Sequence, residues 1–414
     1  MKKILFLSSL GGILEFYDFI IFIFFVAIIN KVFYPATDDS FWGLIGVYST
    51  FAVGYFARPL GGIIMAHFGD KKGRKNVFLL SVLLMVIPTF VLGVLPGFES
   101  IGYFAPLILV IIRILQGVAV GGELPGAWVY VSEHFGKNKL GFAIGVLTAS
   151  VTGGIFVGGF VTLLLYIVFS EEQINSWAFR IPFLLGGVFG IFSIYLRKML
   201  SESPEFLAIQ KSNGSILPIK EMLKFSKIDI FVGMMLTWIL TGCIVVLVLL
   251  MPNFMESILK LSHFERLDVQ IFAVFFTSLS CIFVGICVDR YGLIKSLMAF
   301  FVFFILSNGV YFYVLSQVNP NAQIVLATYL LATFANGVMV FCPLAMVLLY
   351  PVYYRFSALS FAYNIGYAIF GGIAPIVATF FMQKNIMGLG YYMMFLGILG
   401  IVMGMYLKLQ IKKR

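Results

Sequence analysis

From Ser296 to Tyr354 this chain carries no Asp, Glu, Lys or Arg. A run of that length suffices for two membrane-crossing helices, because the hydrocarbon core is about 30 Å thick and about 20 apolar residues span it. The polar break Ser316-Gln317-Val318-Asn319-Pro320-Asn321 marks the turn between them. Comparable runs recur along all 414 residues. Segmenting at charges, Pro/Gly/Asn clusters and polar loops predicts twelve spans, at about 4–30, 41–66, 77–96, 103–131, 140–169, 179–197, 229–251, 267–288, 297–316, 323–349, 358–381 and 391–407. Composition agrees: 61% of the residues are hydrophobic and 11% charged, against roughly a quarter charged in soluble domains. That excludes a soluble enzyme, a disordered scaffold and a secreted disulfide module. The four cysteines, Cys243, Cys281, Cys287 and Cys342, all fall in apolar runs and form no CxxC pair, so they read as buried thiols. The fold class is all-α, a polytopic membrane protein.

The net charge of +10 acquires meaning by position. Short cytoplasmic loops carry the Lys/Arg excess. With the N-terminus inside, 21 of the 28 basic residues fall on the cytoplasmic side, five fall outside, and Arg58 and Arg113 lie within spans. Both termini are therefore expected in the cytoplasm. The basic excess faces anionic lipid headgroups, and nucleic acid is not implied. Lys2-Lys3 before an apolar stretch resembles a signal peptide, but that stretch outlasts an h-region and lacks a small-x-small exit. It reads as a retained first helix.

The longest predicted inside loop divides the spans six and six, giving domains at 1–197 and 229–414 joined by a cytoplasmic linker at 198–228. The halves share features at a nearly constant offset. Asp70 and Asp289 are 219 residues apart, and Pro125 and Pro343 are 218 apart, as are Gly153-Gly154 and Gly371-Gly372. Two pseudo-symmetric six-helix bundles around a midplane site are the mark of a secondary transporter working by alternating access.

Apart from residues at the very ends of spans, five ionisable residues lie inside them: Glu15 and Asp18 in the first, Arg58 in the second, Arg113 and Glu123 in the fourth. Each costs at least about 2.5–3.5 kcal/mol at the bilayer centre, so each needs a partner or a wet cavity. Glu15 and Asp18 are three apart on one helix face, and their repulsion favours one being protonated. Two Arg against three carboxylates leave −1, which one bound proton cancels. Glu15 or Asp18 is thus the expected carrier of a coupling proton, with Arg113 alternating between that carboxylate and an anionic group of a substrate. A static ion-pair network is the structural alternative. Arg58 and Glu123, nearer the cytoplasmic end, read as a gate or structural pair.

Gly69-Asp70-Lys71-Lys72-Gly73-Arg74-Lys75 resembles the GDxxGRK signature of the major facilitator superfamily. Arg113-Ile-Leu-Gln116-Gly117 with Gly121 resembles its RxxQGxxxG signature. No GxxxxGK[ST] phosphate loop exists, since Gly136-Lys137 is followed by Asn138. Gly12-x-x-Glu15-Phe16-Tyr17-Asp18-Phe19, Arg58-Pro59-x-Gly61-Gly62, Gly121-Gly122-Glu123, Phe179-Arg180-Ile181-Pro182-Phe183 and Tyr363-Asn364 look like the metabolite:proton symporter branch. That branch includes proline/betaine, 2-oxoglutarate, citrate and shikimate carriers; the compact length is also similar to the intraphagosomal amino-acid transporters. The resemblance implies the major facilitator fold, a bacterial cytoplasmic (inner) membrane, action as a monomer, and proton coupling through Arg113 with no other cofactor. It also implies a cytoplasmic gate holding Asp70 and Arg74, with Asp289-Arg290 as the second copy alongside Arg58 and Glu123. This chain departs from the branch after Glu133, where it has His134-Phe135-Gly136-Lys137-Asn138-Lys139, and its short tail lacks the coiled-coil extension of osmosensing carriers.

One well-placed Arg plus one carboxylate suits a zwitterion, an amino acid or betaine-like solute, better than a dicarboxylate; an organic-acid symporter and an efflux antiporter remain as alternatives. Candidate substrate contacts are Tyr17, Arg113 and Gln116 in the first half, and Trp238, Asn336, Tyr363, Asn364, Thr241 and Tyr367 in the second. For the second-half residues, helix packing explains the side chains equally well. His67, His134 and His263 read as separate loop residues rather than a metal site, and no Ser/His/Asp or Cys/His constellation converges, so no enzyme is expected.

Overall fold

The computed structural model describes residues 2–35, 40–72, 74–136, 139–198, 222, 224 and 226–413. Most of the linker expected at 198–228 lies outside them. The described residues are helical almost throughout and contain no strand. In hydrocarbon a backbone must satisfy its own polar groups, and a helix does so within one segment.

Twelve long helices result. They are α1 (Lys2–Phe24, continuing past Phe25 as Val26–Phe33), α2 (Ser40–Lys72), α3 (Arg74–Val94), α4 (Phe104–His134), α5 (Leu140–Val168) and α6 (Ile181–Lys198). The second six are α7 (Lys227–Leu259), α8 (His263–Tyr291), α9 (Leu293–Leu315), α10 (Ala322–Leu349), α11 (Val352–Lys384) and α12 (Ile386–Lys413). Ten are long and apolar enough to cross a membrane, and α2 and α3 complete the set. Large apolar side chains such as Phe56, Ile64, Ile167, Ile191, Tyr313 and Ile376 stand more than half exposed, as a lipid-facing surface requires and a soluble one avoids.

Most helices run beyond the predicted spans, because a helix continues into the headgroup zone where charged ends are solvated. The first span is not one unbroken helix: Phe25, at φ −112° and ψ 16°, interrupts it. Gly69-Asp70-Lys71-Lys72, read as a loop from its polarity, is the last turn of α2. Its second-half counterpart, Asp289-Arg290-Tyr291, is the last turn of α8. There Gly292, at φ +89°, ends the helix in a conformation that favours glycine. His67 lies inside α2, His134 closes α4 and His263 opens α8, so these histidines are helical rather than in loops.

Glycines set the closest helix crossings. A Cβ on Gly61 would sit 2.0 Å from the Val118 carbonyl oxygen, one on Gly117 2.0 Å from that of Gly54, and one on Gly121 2.1 Å from that of Arg58. So α2 and α4 touch backbone to backbone, as small residues allow in membranes. The same device joins the halves: a Cβ on Gly141 of α5 would lie 2.6 Å from the Gly285 oxygen of α8, and one on Gly285 2.4 Å from the Gly141 oxygen. Thr152 and Ser278 hydroxyls, 2.7 Å apart, continue that seam. Three second-half helices depart from α geometry mid-membrane: α7 widens to a π-helix over Gly242–Leu250, α10 tightens to 3₁₀ over Asn336–Val340, and α11 widens over Tyr367–Gly371. Such departures are frequent at functional sites.

Gly117→Val forces a side chain into the Gly54 carbonyl and is expected to cost about 1–3 kcal/mol or more. It should lower the melting temperature of the purified protein in detergent. Gly372→Ala, with open space around its Cβ, should leave melting unchanged.

Candidate functional site

Three clusters of described polar groups hold most of the first-half candidates and their partners. The first is the junction of α2, α4 and α11. Asn364 Nδ2 donates to the Gly121 carbonyl at 2.7 Å and to the Ser360 carbonyl at 2.8 Å, and Ser360 Oγ donates to Gly121 at 3.1 Å. These bonds tie α11 of the second half to α4 of the first. Beside them the wholly buried Arg58 lies with its guanidinium carbon 4.1 Å from the ring centroid of Tyr367, 5.3 Å from that of Tyr363 and 5.7 Å from that of Tyr55. Tyr55 and Tyr367 stack across the halves at 5.5 Å and 5°, and Tyr363 meets Trp128 edge-on at 5.0 Å. Cation–π attraction strengthens when water is excluded, reaching about 2 kcal/mol or more per favourable ring. The junction therefore clamps the halves together at the level of α2's second half, towards its basic end.

The second place is inside the first half. Asp18 and Glu123, 3% and 0% exposed, line one small cavity of about 10 Å³ together with Leu14, Val82, Met85, Val86, Gly190 and Ser193. That is room for about one water molecule. Asp18 also bears on α6, its Oδ1 lying 2.3 Å from where a Cβ of Gly186 would be. The sequence grouped Glu123 with Arg58; the cavity instead places it with Asp18. Arg113, also wholly buried, donates through Nη1 to Gln116 Oε1 at 2.8 Å and to the Phe19 carbonyl at 3.4 Å. Gln116 passes the chain on to Thr89 Oγ1 at 2.9 Å, and the guanidinium rests on the Phe19 and Phe22 rings at 4.6 and 4.5 Å. Tyr17 faces away from the partner half: its hydroxyl donates to the Pro182 carbonyl at 2.8 Å and its ring packs on Phe189. Glu15 falls in α1, but its side chain lies outside the described residues.

The third place is the α5–α8 seam. Both Asp289 carboxylate oxygens accept from the first turn of α5, from Gly141 N at 2.7 Å and Phe142 N at 2.8 Å. An anion at a helix N-terminus is favourable, and here it also bridges the halves. Arg290 is exposed, its guanidinium 5.3 Å from the Tyr291 ring. The Asp70 and Arg74 side chains lie outside the described residues; Gly69, one residue earlier, abuts the Phe356 ring of α11.

The remaining second-half candidates scatter. Trp238 stacks on Phe370 at 4.3 Å and donates to the Tyr392 hydroxyl of α12 at 2.8 Å. Thr241 Oγ1 donates to its own helix at Trp238 O. Asn336 is wholly buried, with Nδ2 3.4 Å from the Cys243 carbonyl and 3.5 Å from Thr277 Oγ1. Of these candidates, Tyr363 and Tyr367 meet the charged Arg58 of the first half, and Asn364 meets the Gly121 carbonyl there. Tyr55, Trp128 and Ser360 were missed from the sequence, although Tyr55 stands three residues before Arg58 on the same helix face. Arg180 serves the fold rather than the site, since it donates to the Leu95 and Gly93 carbonyls at 2.6 and 3.3 Å and so caps the end of α3.

The family model of the Major Facilitator Superfamily matches residues 8–375. The chain belongs to that superfamily. It is a multi-pass membrane transporter, not an enzyme, with the twelve-helix major facilitator fold. Over 99% of its length it is 29% identical to the proline/betaine transporter of Escherichia coli (strain K12), covering 83% of that protein. It is 27% identical, over the same shares, to the glycine betaine/proline/ectoine/pipecolic acid transporter OusA of Dickeya dadantii (strain 3937). Among solved structures, the proton:xylose symporter XylE bound to 6-bromo-6-deoxy-D-glucose superposes with a TM-score of 0.78 at 17% identity, with 98% of this chain and 94% of that one covered. The shared fold is thereby shown.

Asp289→Ala removes both bonds to the α5 N-terminus. In a Cys287→Ser background it is expected to speed alkylation of Cys281, wholly buried in this seam, several-fold, as loss of charge-assisted bonds worth about 1.5–3 kcal/mol would loosen the contact. Site-resolved mass spectrometry checks it.

Proposed function

We propose that this transporter takes up a small zwitterion, an amino acid or betaine-like solute, together with a proton across the bacterial cytoplasmic membrane, with both termini in the cytoplasm. The observation that carries this reading is the burial of Asp18 and Glu123 around one small cavity in the first half. Two like charges held on one small cavity repel, and a proton carried there relieves that repulsion. Glu15, three residues before Asp18 in the sequence, is the other candidate for that proton. A group that holds a proton in one state and releases it in another couples flux to the proton gradient. Arg113, bonded to Gln116 and to the Phe19 carbonyl of α1, is our candidate for the group that answers that change in charge.

The names of the relatives support the solute class: each is a transporter of proline or betaine. Charge balance supports it too. A zwitterion adds no net charge to an interior whose second-half spans supply amides and rings rather than ions. The clamped α2–α4–α11 junction and the Asp289 bridge both join the halves at the basic end, so the described contacts fit a carrier shut towards the cytoplasm.

The test is uptake of radiolabelled glycine betaine and L-proline into proteoliposomes under an imposed proton gradient. A protonophore should collapse accumulation. Asp18→Asn, whose amide carries no exchangeable acid proton, should lower accumulation on the order of a hundredfold, as for other buried charges on which coupling depends, and leave solute exchange in place. If Asp18→Asn and Arg113→Lys both accumulate solute as wild type does, proton coupling at this set is wrong.

A further inference from the structure

Arg58 is the most unusual charge in the molecule. It is wholly buried, and its Nε, Nη1 and Nη2 make no well-formed hydrogen bond, only near approaches to the Tyr363 and Tyr367 hydroxyls. Among the described residues no carboxylate faces it. Its backbone is pinned where the Arg58 carbonyl meets Gly121, which leaves the side chain to fill the space between α2 and α11. Three tyrosine rings cover it there. A guanidinium left with unused donors is a bidentate receptor for a carboxylate. Tyrosine faces that hold a cation are receptors for an alkylated ammonium group. The two receptors are adjacent, drawn from both halves of the transporter, and lie at the start of the π-helical turn Tyr367–Gly371 of α11.

We propose that Arg58, Tyr55, Tyr363 and Tyr367 form a zwitterion-recognition site, in which the ligand's carboxylate takes the guanidinium and its cationic nitrogen takes the ring faces that the guanidinium covers in this state. Arg58 acts as a built-in surrogate for the ligand's cation. A lone cation entering the site meets the like charge of Arg58, and a lone anion leaves the rings without a cation. A zwitterion satisfies both and adds no net charge to a dry site. Because the covered rings belong to both halves, exchanging Arg58 for the ligand also releases the contact that joins α2 to α11. The inference rests on the transport reading above and names its ligand class and site; Arg58, expected from the sequence to be a gate, thereby becomes a binding residue as well.

Calorimetric titration of the full chain in detergent tests it with glycine betaine, with choline (the same cationic head without a carboxylate) and with pivalate (the carboxylate without the cation). Wild type should bind glycine betaine at least about tenfold more tightly than either, as expected when a charged hydrogen-bonding partner is present or missing. Arg58→Gln should lose that preference and bind choline no worse than wild type. Tyr367→Leu should weaken glycine betaine about tenfold, while Tyr367→Phe, which keeps the ring face, should stay within about threefold of wild type. Thermal melting reports folding; if Arg58→Gln fails to fold, Arg58→Lys and the two Tyr367 variants carry the test. The proposal is overturned if the wild type binds glycine betaine no better than choline, or if the Tyr367 variants match each other. Betaine affinity unchanged in Arg58→Gln or Arg58→Lys overturns it equally. If the wild type binds glycine betaine as described yet proteoliposomes accumulate neither it nor proline, the transport reading falls and the site stands.

Discussion

Hydrocarbon offers a polypeptide neither hydrogen-bond partners nor a hydrophobic reason to pack helix on helix. The first lack makes every span a helix; the second leaves close van der Waals contact and a few interhelical hydrogen bonds to hold the bundle together. The glycines of α2 and α4 meet that demand. Gly54, Gly61, Gly117 and Gly121 let two backbones touch, and this contact presents both the Gly121 carbonyl and the Arg58 side chain to α11. Asn364 and Ser360 then bond to Gly121, and Tyr363 and Tyr367 cover the guanidinium. The junction between the halves is therefore a consequence of a glycine crossing within one half.

Charge is divided unevenly between the two halves, and the structure gives that division a purpose. Among the described residues, the first half holds Asp18, Glu123, Glu133 and both wholly buried guanidiniums; the second holds one buried carboxylate, Asp229 at the start of α7, and otherwise tyrosine rings, amides and hydroxyls. Tyr363 and Tyr367, the second-half groups that touch the buried Arg58, carry no charge themselves. The α5–α8 seam works differently. There the single anion Asp289 comes from the second half and binds the α5 N-terminus directly, at a membrane face where both partners are only partly buried.

Several features were legible without a fold. Uncharged runs located the spans, because length and polarity alone decide which segments enter hydrocarbon. The five intramembrane charges stood out against an apolar background for the same reason. Helix ends were less legible: Phe25 breaks α1 without a proline, glycine or charge to announce it, and the GDxxGRK segment reads as a loop although its first residues complete α2. Partnerships were least legible. Spacing along α1 suggested Glu15 with Asp18, and depth suggested Arg58 with Glu123, yet Glu123 lines a cavity with Asp18 of another helix, and Arg58 meets rings from positions more than 300 residues away.

The amino-acid sequence by itself determined that this protein is a twelve-helix membrane transporter of duplicated design, with the charges deepest within its spans in the first half. It could do so because partition into a bilayer depends on local composition, and a constant offset between motifs survives without knowledge of contacts. Only the tertiary structure decided which buried charge meets which group. That outcome depends on helix rotation and crossing distance, set here by where glycines let backbones touch, and neither quantity is written in the spacing of residues along a single helix.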